Sequence, residues 1–283
     1  MPDQRVAVLT GPTSGIGRWI AVGLARAGMR VVLIARNPAR LEETRQWIGT
    51  QVPGAVTEPV IADLSLLAQV RASAQTIAAS HPTIAILVNN AGVYSPRRLV
   101  TPEGHERTLT INHLAPFVLI RALEPRLRAG FPSRIVNMGS AASDQVRLDL
   151  DDLEAERGFS MRYTYGRTKL ALMMATFEWA NRLESAAITA NVVHPGTVAT
   201  DIVPRFSLPG LFWNAAKPFM IRPERGADTP LHVALAPELA AVTGKYFKPG
   251  APNPRTRAPN PQAEDTAARA RLWAETEKLV GPD

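Results

Sequence analysis

The stretch Gln4-Arg-Val-Ala-Val-Leu-Thr-Gly-Pro-Thr-Ser-Gly-Ile-Gly17 decides the fold. Its first half, Gln4 to Thr10, has the short apolar pattern of a buried strand. Its second half is a glycine-rich turn. An apolar-periodic segment follows, Arg18 to Ala27, closed by Gly28. Strand, glycine-rich turn and helix in that order form the dinucleotide-binding layout. Glycines let the backbone approach a pyrophosphate, and the helix amino terminus offers it unpaired N–H groups and a positive dipole end. The spacing is G-x-x-x-G-x-G, not the commoner G-x-G-x-x-G.

Outward from this start, strand and helix patterns alternate. Strands are predicted at Arg30–Ala35, Val56–Ile61, Ile84–Val88, Arg134–Met138, Ala187–Val193 and Lys245–Phe247. Helices are predicted from Pro38 to about Ile48 and from a Ser65 cap to about Ser80. Glu103 to about Arg128 reads as helix interrupted at Asn112 and Pro116. Further helices are expected over Leu170–Leu183, from Arg222-Pro223 to about Ala236, and over Ala263–Val280. Near-continuous apolar strands alternating with helices argue for a doubly wound parallel sheet of the Rossmann type, with helices on both faces. No internal repeat appears. Residues 1–250 read as one catalytic domain. The Pro-rich tail and helix of 251–283 are expected to pack on the same domain. An acidic, irregular stretch, Ala141 to Ser160, carries Asp149, Asp151, Asp152, Glu154 and Glu156.

Composition narrows the function. The hydrophobic fraction of 46% belongs to a globular chain with a sizeable core. With no cysteine, disulfides, thiolate metal sites and cysteine nucleophiles are excluded, and no metal site is expected. The net charge of +7 raises nucleic acid as a partner. The basic residues are scattered singly, however, with no block of five like charges, so no nucleic-acid partner is expected. No basic region followed by an apolar run opens the chain, and no apolar run reaches about 18 residues. A soluble, cytoplasmic protein without a membrane anchor is the expectation.

One pair stands out beyond the glycine turn. Tyr165 and Lys169 are four apart at the head of a helical run, so they share a face. A neighbouring cation favours a phenolate, and a tuned tyrosine gives or takes a proton near neutral pH. Tyr163 lacks the spacing. In doubly wound sheets ligands bind beyond the carboxyl ends of the strands. There lie the glycine turn, Arg36, Asp63, Asn89-Asn90-Ala91-Gly92, Ser140 and His194-Pro195-Gly196.

With Thr10-Gly11-x-x-x-Gly15-Ile16-Gly17, Asp63, Asn90-Ala91-Gly92, Asn112, Ser140, Tyr165-x-x-x-Lys169 and Pro195-Gly196 in order, the chain resembles the short-chain dehydrogenase/reductase family. Tyr165-x-x-Thr-Lys169-Leu, Val193-His194-Pro195-Gly196-x-Val198, Gly244-Lys-Tyr-Phe247 and the Leu272-Trp273 helix are similar to its retinol-dehydrogenase-like and protochlorophyllide-reductase-like branch. The resemblance implies catalytic roles for four residues. Tyr165 would be the general acid or base. Lys169 would lower its pKa and hold the nicotinamide ribose. Ser140 would bind the substrate oxygen, and Asn112 would support a water-linked proton path. It further implies a cofactor site of Gly11, Thr13, Ser14, Gly15, Ile16, Gly17, Arg36, Asp63, Leu64, Asn90, Ala91, Gly92, Tyr165, Lys169, Pro195, Gly196, Val198 and Thr200. Gly139 stands where many relatives carry a second Ser, a change expected only to loosen the turn.

The expected reaction is hydride transfer between a nicotinamide and a ketone, aldehyde or alcohol of a bulky apolar or aromatic substrate, a class that includes polyketide-like compounds. Residues 201–222, with Phe206, Phe212, Trp213 and Phe219, would be the lid. NADP(H) is expected over NAD, because Ala35-Arg36 replaces the acid that binds the ribose 2′-OH. The alternative is a non-catalytic NADP(H)-sensing regulator of the same fold, which would require a damaged catalytic set; all four residues are present. Helices near 103–128 and 161–183 commonly pair between subunits in the family. A homodimer is therefore expected, unless the insert of Asp144 to Ser160 covers that surface.

Overall fold

Eight strands form one sheet in the order β3-β2-β1-β4-β5-β6-β7-β8. The computed structural model describes residues 4–183, 188–198, 220–251 and 253–282. The strands are β1 Val6–Thr10, β2 Arg30–Ala35, β3 Thr57–Ile61, β4 Ile86–Asn89, β5 Ser133–Met138, β6 Ile188–Val193, β7 Tyr246–Lys248 and β8 Arg255–Thr256. β1 to β7 pair parallel and β8 is antiparallel to β7. The order reverses between β1 and β4, the switch point where such sheets bind ligands. Chain order therefore carries Thr10, Asn89, Met138 and Val193 to one edge, and with them every loop that holds a site residue.

Two apolar layers explain the helix placement. Alternate residues of the central strands feed opposite faces, as a period of two requires. Val8, Leu87 and Ile135 pack with Leu114, Phe117, Trp179 and Trp273 on one face. Ala7, Leu9, Val88 and Val136 pack with Ile20, Leu24 and Val233 on the other. α1 spans Gly15–Arg26, starting inside the glycine turn and earlier than its apolar period suggests. α2 (Pro38–Gln51) is capped by Asn37, whose side chain accepts the Arg40 N–H.

α3 (Leu67–Ser80) is not capped by Ser65. Ser65 folds back on Asp63, and the Glu103 carboxylate takes the Leu67 and Ala68 N–H groups at 2.5 and 3.0 Å. A carboxylate from a distant loop thus replaces the local cap, a pairing that local sequence does not encode. The interruption expected at Asn112 and Pro116 is a change of helical register. α4 (Arg107–Leu109) passes into a π turn, Thr110–Leu114, and then into α5 (Ala115–Ala129). Such turns lie inside helices, frequently at functional positions.

α6 is a long helix, Met161–Leu183, that starts one turn before Tyr165. The helix expected from Arg222 to Ala236 divides into α7 (Pro223–Gly226) and α8 (Asp228–Leu235). The chain ends in α9 (Pro261–Glu264) and α10 (Thr266–Val280). The Pro-rich segment before them contributes β8 and so seals the sheet edge. Trp273 of α10 lies against Phe117 and Trp179, with ring centroids 4.7 and 4.6 Å apart. His113 of the π turn bonds Thr276 at 2.8 Å. The acidic insert serves as clamps. Glu154 accepts the His105 ring N–H and the Glu106 amide, and the carbonyls of Asp149 and Asp152 accept from Arg167. Gln262 ties Leu148 through both its amide groups. Among the described residues no helix is long and apolar enough to cross a membrane.

Candidate active site

The glycine turn fits a dinucleotide. Gly11 and Gly15 adopt φ of +67° and +53°, which side chains disfavour. A Cβ on Gly17 would fall 2.1 Å from the Gly11 carbonyl oxygen and 2.5 Å from Asn90 Nδ2, so bare backbone is required there. Asn90 donates to the Thr10 and Gly11 carbonyls, both at 3.0 Å, and the Ala91 amide donates to Thr10 Oγ1. These bonds hold the loop after β4 against the turn. Ser14 takes the N-cap position in extended conformation without a side-chain capping bond. The first N–H groups of α1, beside Thr13, Gly15 and Ile16, stay available to an anion.

The flanking residues follow the same logic. Arg36 is exposed at the end of β2 and has no ion-pair partner among the described residues. Arg18 is committed elsewhere, its guanidinium 4.1 Å from the Trp47 ring. Asp63 accepts the amide and hydroxyl of Ser65 at 2.9 and 2.8 Å, and Leu64 is buried beside it. After β6, Gly196 turns at φ +88° and a Cβ there would meet Ile221 at 2.6 Å. Val198 is buried and bridges Ile221. Thr200, and the expected lid from 201 to 219, lie outside the described residues. Of that lid only 220–222 are described; Ile221 is fixed by its amide to the Thr197 carbonyl, and Met220, Ile221, Arg222 and Arg225 line a cavity of about 490 Å³.

The four expected catalytic residues converge. The Lys169 ammonium is buried, donates to the Met138 carbonyl at 2.7 Å and lies 5.9 Å from the centre of the Tyr165 ring. Gly92 leaves room for it: a Cβ there would stand 3.2 Å from Lys169 Nζ and 3.3 Å from Asn112 Oδ1. Asn112 is fully buried. Its carboxamide accepts the Val93 amide at 2.8 Å and donates to the Val93 carbonyl and Thr168 Oγ1, both at 3.0 Å. The Asn112 side chain therefore clamps the loop after β4 to α6. Ser140 starts a short 3-10 turn, Ala141–Ser143, where its hydroxyl accepts the Ala142 amide at 3.2 Å, and it favours the ionised form of the nearby Tyr165 phenol.

Burial governs the electrostatics of the Tyr165 and Lys169 pair. Burial pushes the Tyr165 phenol up to about 12; Ser140 opposes this and the nearby Tyr94 adds to it. Burial also pushes Lys169 down to about 8. The ammonium is aimed at the Met138 carbonyl, and burial is the largest influence on both groups. At neutral pH the site thus holds a protonated phenol, a proton donor beside a hydroxyl. The expectation for Gly139 is revised. A Cβ there would approach Val192 Cγ1 to 2.5 Å, so the glycine marks a close approach of strands and not a looser turn.

Sequence reasoning missed Tyr94. Its ring meets Tyr165 edge to face, centroids 4.9 Å apart and planes at 73°. The available signal was an aromatic residue two positions after the Asn90-Ala91-Gly92 turn. Tyr163, set aside on spacing, points away from the pair and donates to the Arg147 carbonyl at 2.9 Å.

The comparisons agree with this geometry. The short chain dehydrogenase family model matches residues 5–208. Human retinol dehydrogenase 13 is 33% identical over 288 residues, covering 98% of this chain and 85% of its own length. A crystal structure from Mycobacterium paratuberculosis superposes with a TM-score of 0.78 at 26% identity, covering 98% of this chain and 93% of that one. The blue fluorescent protein from a metagenomic library, solved in complex with NADPH, gives 0.69 at 30% identity, covering 86% and 95%. With the glycine cradle, the Asn90 loop and the Ser140, Tyr165 and Lys169 cluster on one sheet edge, the chain belongs to the short chain dehydrogenase family, on its retinol-dehydrogenase-like branch.

Proposed function

We propose that the protein is an NADP(H)-dependent oxidoreductase interconverting a ketone or aldehyde with its alcohol on a bulky apolar or aromatic substrate. The observation that carries this is the Tyr165 phenol, kept protonated by burial, with the Lys169 ammonium 5.9 Å from its ring centre, on the same sheet edge as the glycine cradle. A nicotinamide dinucleotide, when bound, supplies the hydride. The chain's own groups do the rest. Tyr165 delivers the proton to the substrate oxygen, and Ser140 donates a hydrogen bond where negative charge develops. Lys169 holds its charge beside them through the Met138 carbonyl. Asn112 keeps the walls of the site in register.

Arg36 supports the choice of NADP(H). It is exposed at the strand end where an acid would bind the ribose 2′-OH, and guanidinium pairs bidentately with phosphate. The metagenomic relative's complex with NADPH agrees. A cytoplasmic location belongs to the same proposal, and cell fractionation measures it. Pairing of α5 and α6 between subunits is proposed under one constraint: α10 already lies on α6 and the π turn. Static light scattering measures that mass. NADPH oxidation against a panel of ketones, aldehydes and quinones tests the activity. Normal cofactor binding with no turnover on any of them would favour the sensing regulator instead.

A further inference from the structure

Tyr94 and Arg162 stand at the mouth of the site, and neither is used in the proton chemistry. Tyr94 follows the loop after β4, half-buried, with its ring against Tyr165. Among the described residues its hydroxyl has no hydrogen-bond partner. Arg162 is on the first turn of α6, exposed, without an ion-pair partner among the described residues. Positions 162, 165 and 169 are three and four apart, so all three side chains leave the same face of α6. Arg162 therefore sits about 4.5 Å along the helix from Tyr165, on the solvent side of the reacting groups. Its charge acts on the Tyr94 phenol, favouring the ionised form against the effect of burial. A half-buried phenol and an exposed guanidinium thus both border Tyr165, the first by ring contact and the second from one turn earlier on the same helix face.

We infer that Tyr94 and Arg162 form a subsite for a carboxylate on the substrate, separated from the reacting carbonyl by about one aromatic ring. A carboxylate accepts from both: it gives the phenol a partner that it lacks among the described residues and takes a charge-assisted bond from the guanidinium. The Tyr94 ring supplies an aromatic edge beside the substrate ring. This rests on the proposed oxidoreductase reading and narrows its substrate class to aryl ketones or alcohols bearing an acid.

The test compares 4-acetylbenzoate with its methyl ester, NADPH being the reductant. Wild type is expected to favour the acid in kcat/KM by about tenfold or more, chiefly through KM. Arg162→Gln should cut the acid-to-ester ratio by about tenfold, Arg162→Lys should restore part of it, and Tyr94→Phe should lower it less. A wild type that treats both compounds alike, or an Arg162→Gln variant that loses both equally, overturns the subsite. Failure to reduce any carbonyl in a general panel ends the oxidoreductase reading instead. The subsite is then scored on binding, by saturation-transfer NMR with NADP present. Acid bound over ester in wild type but not in Arg162→Gln supports it, and equal signals overturn it.

Discussion

The Lys169 ammonium donates to the Met138 carbonyl across 2.7 Å, so the buried cation of α6 is tied to the last residue of β5, two positions before Ser140. One strand end thereby sets both the lysine and the serine, and Tyr165 stands between them. Tyr165→Phe removes the proton donor and leaves this frame in place. Turnover should fall more than about a hundredfold, the scale of a lost general acid. Cofactor affinity, read by NADPH fluorescence, should change little. Near-normal turnover would falsify the role of Tyr165.

The phenol pushed up to about 12 gives the two directions different pH profiles. Carbonyl reduction needs the protonated form, which dominates throughout the neutral range. Alcohol oxidation needs the phenolate, whose fraction rises about tenfold per pH unit below that pKa. The oxidative kcat/KM should therefore climb with pH from about 6 to 9, while Tyr165 leaves the reductive value flat over the same range. Equal slopes in both directions would contradict this assignment.

Cofactor choice rests on Arg36. NADPH is expected over NADH by at least about tenfold, or about 1.4 kcal/mol. In Arg36→Ala the NADPH KM should rise and the NADH value barely move. A wild type with equal or better kcat/KM for NADH removes the NADP assignment and leaves the proton chemistry untouched.

Gly139→Ser places a side chain where a Cβ already comes within 2.5 Å of Val192 Cγ1. Crowding of this kind costs about 1–3 kcal/mol. Urea unfolding should show the loss, and Val192→Ala in the same chain should recover part of it. A serine accepted at full stability means that β5 and β6 separate more easily than their packing indicates.

His113 links stability to pH. It is fully buried, and burial pushes it down from 6.5 to about 3. The unfolded chain takes up this proton below about pH 6.5 and the folded chain does not. The contribution is thus complete above that pH and is lost as pH falls toward 3, at up to about 1.4 kcal/mol per unit. His194, pushed down to about 4, acts in the same sense. Urea midpoints at pH 7.5, 6 and 5 should decline, and less steeply in His113→Gln.

Much of this was legible in the sequence because it is local. Apolar period two, a glycine turn and a Tyr-x-x-x-Lys spacing each sit within a few residues, and the strands, the cradle and the Tyr165–Lys169 pair came from them, while Ser140 and Asn112 joined the candidate site through the family resemblance. What escaped depends on distant partners. Glu103 caps α3 from 36 positions away. Burial, which dominates the Tyr165 phenol, belongs to the assembled core and not to its neighbours in sequence. Gly139 reads as a slack turn until Val192, on the adjacent strand, is seen against it. Tyr94 gained meaning only when its ring met Tyr165.

Asn260 stands in a segment whose prolines suggest a spacer, yet its carboxamide donates to the carbonyls of Ser143 and Val146, both at 2.8 Å, in the turn that begins at Ser140. The turn that carries the proposed Ser140 hydroxyl is thus held by a residue 120 positions downstream. Random mutagenesis scored for product would therefore recover inactive clones in this apparent spacer, and would wrongly mark Asn260 as a substrate contact.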